Sequence, residues 1–321
     1  MATTKITLKG IWEVLKNSFK GFGEDKVTKL SGSLAYATIF SMAPLLVVII
    51  SLCSIFLGKD AVEGKVYGEL MGFVGSNTAA QLQEIIRNAS LAGKSNMAVV
   101  IGVITLVIGA TTIFAEIQDS INTIWGIKPK PKRGWLKLLK NRFLSFSVII
   151  SLGFLLLVSL GVNYVIDGFS KSLIQRFPDI AVTVFYIVNI IISFLVISLL
   201  FAVIFRLLPD ADIKWKDVRS GAIATAILFM VGKFAISFYI TTTKVGSTYG
   251  AAGSIIILLV WIYYSSIILY FGAEFTKAWA VKYGSAIYPN HYAVTTRLVE
   301  VEMPGEAVDT NAKQVVKKPE P

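Results

Sequence analysis

Hydrophobic residues in this chain are gathered into uninterrupted runs of around twenty, the number an α-helix needs to cross about 30 Å of hydrocarbon at roughly 1.5 Å per residue. Such runs lie near Leu34 to Leu57, Met97 to Ala115, Phe143 to Val165, Ala181 to Phe205, Val218 to Ile240 and Ser254 to Phe275. They predict an all-α fold, a polytopic membrane helix bundle of about six transmembrane helices. A membrane barrel would instead show strands of about ten residues alternating apolar and polar side chains, and no such alternation runs through the sequence. Composition agrees, because only 16% of residues are charged and 55% are hydrophobic, against about 25% charged in an ordinary soluble domain.

Basic residues set the expected orientation, since Lys and Arg are retained on the cytoplasmic side of a bilayer. Lys5, Lys9, Lys16, Lys20, Lys26 and Lys29 precede the first run, and Lys128, Lys130, Lys132, Arg133, Lys137, Lys140 and Arg142 fill the second connection. Arg206, Lys214, Lys216 and Arg219 lie in and beside the fourth, while the odd-numbered connections are poor in both residue types. Both termini are therefore expected in the cytoplasm, and the net charge of +11 needs no nucleic acid to explain it. The expected layout is a cytoplasmic amphipathic segment over 1–33, a six-helix transmembrane domain over 34–280 with a helical extracytoplasmic loop over 58–96, and a disordered tail over 281–321. Within the first segment Leu8, Ile11, Trp12, Leu15, Phe19 and Phe22 recur at helical spacing, with Lys9, Lys16 and Lys20 elsewhere on the helix. Two readings fit that pattern: a helix lying on an anionic membrane surface, or one packed under the bundle.

The cysteine and histidine counts exclude several chemistries. One cysteine, Cys53, and one histidine, His291, supply neither an intrachain disulfide nor a His/Cys metal cluster, so no metal is expected. No Walker motif, dinucleotide fingerprint or GxSxG elbow is present. No cofactor is expected, and no enzymatic activity.

Polar groups inside hydrocarbon are costly, so they mark candidate sites. Pro44 interrupts Leu34-Ala-Tyr-Ala-Thr-Ile-Phe-Ser-Met-Ala-Pro, where it kinks the first span and frees a carbonyl; Tyr36 lies in the same stretch. Thr112, Glu116, Asp119 and Thr123 share one helical face, which either carries a cation or proton site or is simply solvated. Lys233 lies about seven residues, roughly 11 Å, from the outer end of the fifth run, as an anion attractor or a snorkelling ammonium. Tyr263, Ser266, Tyr270 and Glu274 share a face of the sixth run that should point inward, with Arg206 or Arg142 as the expected partner of Glu274. The fifth connection, with Tyr249 and Gly250, is rich in glycine and hydroxyls, either a backbone dipping into the membrane or a turn of small residues. Small residues such as Gly153, Gly161 and Gly221 are candidates for close helix contacts within or between subunits.

At these residues the chain resembles the YihY/BrkB family of bacterial inner-membrane proteins, once labelled ribonuclease BN. The matching stretches are Leu34 to Pro44; Leu207-Leu-Pro-Asp, Trp215-Lys-Asp-Val and Gly221-Ala; then Tyr249-Gly-Ala-Ala-Gly, Trp261-Ile-Tyr and Phe271-Gly-Ala-Glu. The resemblance implies six helices and a multi-pass location in the bacterial cytoplasmic (inner) membrane, but no substrate. The expected function is a transporter or lipid-translocating protein, with polar faces of spans one, two, five and six lining a cavity. The alternative is a non-transporting scaffold in envelope assembly or maintenance, and the ribonuclease reading is disfavoured. The expected partners are membrane lipids and a second copy of the chain, not nucleic acid.

Overall fold

A computed structural model describes residues 6–41, 96–130, 178–243 and 253–296. Its helices are Leu8–Glu24 (α1), 27–41 (α2), Asn96–Ile124 (α3), Pro178–Leu207 (α4), Trp215–Thr243 (α5) and Gly253–Tyr283 (α6). Four short strands join them: Ile127–Pro129 (β1), Ala211–Asp212 (β2), Tyr288–Pro289 (β3) and Ala293–Thr295 (β4). Among the described residues three helical windows, Ile190–Leu207, Trp215–Ile236 and Ile255–Tyr283, are long and apolar enough to cross a membrane. They fall where the fourth, fifth and sixth runs were expected, and α3 covers the second. Most of the first run, the whole third run, the loop 58–96 and the tail beyond 296 lie outside the described residues.

The α5–α6 contact is built on glycine and threonine. Thr225 Oγ1 donates to the Gly221 carbonyl and Thr276 Oγ1 to the Gly272 carbonyl, each at 2.7 Å. Each threonine then fills the space over the glycine of the opposite helix: a Cβ on Gly221 would meet Thr276 Oγ1 at 1.8 Å, and one on Gly272 would meet Thr225 Oγ1 at 2.0 Å. Without a side chain at either glycine the two backbones approach closely, which is how helices gain contact where no hydrophobic force drives them together. Phe201, Phe229 and Trp261 extend the contact to α4, with ring centroids 5.9 and 6.1 Å apart.

Helix α1 begins with Thr7 as its N-cap, whose hydroxyl accepts from the Gly10 N–H at 3.2 Å. It ends in a two-residue bend in which Lys26 takes a left-handed φ of 51°, and α2 starts at once. Gly10, Val14, Ser18 and Gly21 form a small-residue stripe along α1 that lies against the last turns of α6. Gly10 meets Tyr283 and Gly21 meets Glu274, so the two helices run antiparallel. At 31 residues α6 is about 46 Å long, and α1 runs beside its last turns, from Glu274 to Tyr283. The larger residues that suggested a membrane-surface helix divide: Leu8 and Trp12 are exposed, whereas Phe19 and Phe22 pack on Phe271 of α6 with ring centroids 4.9 and 6.2 Å away.

Residues after α6 return to the same end of the bundle, called basal below. Strand β4 pairs antiparallel with β1, just after α3, and β3 pairs antiparallel with β2, between α4 and α5. Tail residues 288–295 are thus held in two small sheets, a departure from the disorder expected there. Single short strands carry no periodic signal, and their partners are distant in sequence.

Candidate functional site: an apolar cavity above a buried charged layer

Between α2, α3, α4, α5 and α6 lies a cavity of about 420 Å³. Its walls are apolar, with Leu34, Ile113, Ile117, Leu200, Ile204 and Leu269 among the lining residues. Thr38, Ser265 and Ser266 also border it, but each hydroxyl donates to a carbonyl one turn earlier on its own helix, at 2.7 to 2.8 Å. Helix geometry provides that acceptor wherever no other partner exists, and the cavity is left almost without polar surface. The polar faces expected to line a cavity do not line this one: apolar side chains do.

One turn toward the basal end the character changes. Tyr270 and Glu274 are both fully enclosed. The Glu274 carboxylate lies against α1, where a Cβ on Gly21 would meet Oε2 at 2.5 Å. Lys277 Nζ is 3.6 Å from Glu274 Oε2 and 3.1 Å from Asp25 Oδ2, and it also donates to the carbonyl of Ile124. One ammonium thus ties together the α1–α2 bend, the end of α3 and α6. Among the described residues Glu274 Oε1 and the Tyr270 hydroxyl make no well-formed hydrogen bond, although Ser120 lies beside the phenol and Asp25 beside the Glu274 carboxyl.

Further toward the basal end, Asp210 is the centre of a second polar group. Its carboxylate accepts from Gln118 Nε2 (3.1 Å), Asn122 Nδ2 (3.0 Å) and the Tyr292 hydroxyl (3.0 Å), and its N–H donates to Asn122 Oδ1 at 2.8 Å. Burial and the neighbouring Asp210 charge hold the Tyr292 phenol above its ordinary pKa. Asp217, in the first turn of α5, accepts from the Ser285 N–H at 3.0 Å and fixes the end of α6. Glu13 on α1 is bonded to Lys282, which holds its carboxyl below the usual range.

The expected site residues are dispersed. Tyr36 is exposed and tilts against Phe40 with centroids 4.7 Å apart. Glu116 is half-buried and Asp119 exposed, on a face of α3 opposite to the buried Ile113, Ile117 and Ile121; both are close enough to act electrostatically on the Tyr270 hydroxyl. Lys233 is half-buried and engaged, and Tyr263 is half-buried. The inward face of α6 holds for Ser266, Tyr270 and Glu274, all buried. Arg206 is not the partner of Glu274: it bonds Asp212 at 3.0 Å, and Lys277, one turn along the same helix, takes that place because Glu274 faces α1. Pro44, Tyr249, Gly250 and Arg142 lie outside the described residues. Asp25, Lys277, Gln118, Asn122 and Tyr292 were not singled out from sequence, although Lys277 stands three residues from Glu274, a spacing at which helix pairs meet. Asp210 and Asp217 stood in the stretches that carry the resemblance. No group of three or more His, Cys, Asp or Glu side chains among the described residues is arranged to hold a metal.

A model of the virulence factor BrkB family matches residues 18–291. The chain belongs to that family. The matched span takes in the cavity, the Glu274 layer and the Asp210 group apart from Tyr292 of this BrkB-family protein. It is 28% identical to a UPF0761 membrane protein of Mannheimia succiniciproducens, over 79% of this chain and 85% of that one. A UPF0761 membrane protein of Haemophilus influenzae is 26% identical, over 80% and 91% respectively. No solved structure matches. With its apolar helices, the chain is a helical membrane protein.

Proposed function

We propose that this is a multi-pass protein of the bacterial cytoplasmic membrane, with six spans and both termini inside, that moves lipid or another amphiphile across the bilayer by sheltering its hydrocarbon part. The carrying observation is the cavity of about 420 Å³, within the ~300–1,000 Å³ range of small-molecule sites. An ion path needs carbonyls or side-chain dipoles to replace lost hydration, and these walls are almost entirely hydrocarbon. An acyl chain asks only for apolar surface. The basic residues beside the even-numbered connections support the orientation, and the absence of catalytic motifs in the sequence supports a non-enzymatic role without cofactor or nucleic acid.

The test is reconstitution of purified protein in liposomes carrying a fluorescent phospholipid, followed by quenching from outside. Active protein should let the quencher reach inner-leaflet label, and Leu200→Trp or Ile117→Trp, which fill the cavity, should reduce the rate at least tenfold with the fold intact by thermal melting. A rate equal to protein-free vesicles would overturn the reading. The outward Leu8 and Trp12 on α1 favour one second reading, a scaffold for envelope assembly. It predicts no lipid movement and loss of a copurifying partner on Trp12→Ala with Leu8→Ala.

A further inference from the structure

The layer below the cavity contains a charge imbalance. Two carboxylates, Asp25 and Glu274, face one ammonium, Lys277. Asp25 holds the closer position at 3.1 Å and its side chain is 22% exposed, whereas Glu274 is 3.6 Å away and 2% exposed. Lys277 also spends a proton on the Ile124 carbonyl. Among the described residues no second cation is paired with either carboxylate. Helix α1 presents the Gly21 backbone to Glu274, and its Lys20 and Glu24 pair with each other in the open. From α3 come Glu116 and Asp119, which add negative charge around Tyr270. The α5 face against α6 consists of Gly221, Thr225 and Gly232, with Asp217 placed far off beside Gly284. A buried carboxylate left with half a counterion is costly enough that it takes up a proton instead. Glu274 Oε1 is enclosed and, among the described residues, makes no well-formed hydrogen bond, and with the Asp25 carboxylate beside this carboxyl a proton here separates two like charges.

We propose that Glu274 is a proton-binding site whose occupancy is coupled to the docking of α1. With α1 seated, Glu274 is a neutral carboxylic acid and Asp25 alone neutralises Lys277. When α1 and its bend move off, Asp25 leaves with them. Glu274 then releases its proton to water at the basal end and pairs as a carboxylate with Lys277, so charge balances in both states. The proton is thereby linked to an element that closes the bundle below the cavity. The site stands on its own charge count and holds whether the cavity carries a lipid or not.

Infrared titration of the full chain in nanodiscs reads the proton directly. Wild type should show a protonated-carboxyl stretch at neutral pH that disappears on raising the pH and is missing in Glu274→Gln, while Glu116→Gln retains it. Asp25→Asn frees Lys277 for Glu274 and should move the titration to lower pH. Glu274→Gln, a neutral mimic, should melt no lower than wild type. Coupling is read by spin labels at Lys16→Cys and Val281→Cys in a Cys53→Ser background. Their separation should widen as the pH rises from neutral, still short of the phenol range, in the otherwise native chain, but not with Glu274→Gln. A neutral-pH carboxyl band that is absent, or that survives in Glu274→Gln, overturns the proton site. Equal widening in both labelled chains overturns the coupling.

Discussion

Individual residues act here chiefly through what they lack. Gly221 and Gly272 leave room for the opposing threonines, and each threonine is pinned by a 2.7 Å bond to a carbonyl of its own helix, so neither can swing aside freely. Gly221→Ala should therefore destabilise by about 1–3 kcal/mol, the usual cost of overpacking, read as a lower melting temperature in detergent. Combining it with Thr276→Ala should recover part of that loss, because the nearest clashing atom is removed; strictly additive losses would exclude this contact as the cause. Gly221 was recognisable in sequence as a small residue in an apolar run. That its contact is Thr276 of the same chain was not, since a small residue marks a close approach without naming the partner.

At the scale of elements, the basal strands work as laces. Asp210 joins α3, the α4–α5 turn and the tail through side-chain hydrogen bonds with Gln118, Asn122 and Tyr292 and a backbone bond from Asn290, so Asp210→Ala should cost about 3 kcal/mol by leaving buried donors unmatched. Limited proteolysis should then cut first after Tyr283. Tyr292→Phe removes one of those bonds and should cost about 1 kcal/mol. A phenol whose folded pKa is raised contributes stability that is complete below its unfolded value of about 10 and is lost as pH rises through the folded value. Tail protection should accordingly fall in alkali in wild type and stay flat in Tyr292→Phe. Helix α1 shows the opposite dependence at its far end. Glu13, held below the usual carboxylate range, strengthens docking at neutral pH and loses that contribution as pH falls through its folded value. Its exposure keeps the effect small.

Seen whole, the molecule separates two environments along one axis. An apolar cavity sits among the helices, a layer with Tyr270, Glu274 and Lys277 lies below it, and the Asp210 group and strands close the base. If the basal end faces the cytoplasm, single cysteines placed at Lys16 and at Tyr288, both exposed, should be modified in inverted but not in right-side-out membrane vesicles. Labelling from the opposite side would invert the topology and, with it, the source of the Glu274 proton.

The amino-acid sequence determined the solvent, the helical class and the positions of the described apolar helices, because continuous apolar runs of membrane length are a local property that needs no partner to be read. It also marked the inward face of α6, since residues three and four apart share a helix face whatever packs against it. Only the tertiary structure decided what that face meets. Glu274 lies against Gly21 and Lys277 instead of Arg206, the serine and threonine hydroxyls beside the cavity bond their own helices, and α1 docks through its small residues together with Phe19 and Phe22 while Leu8 and Trp12 turn outward. Each of those outcomes depends on which helix lies next to which, and the energies that choose neighbours, van der Waals fit at glycine and neutralisation of buried charge, arise only once distant segments have met.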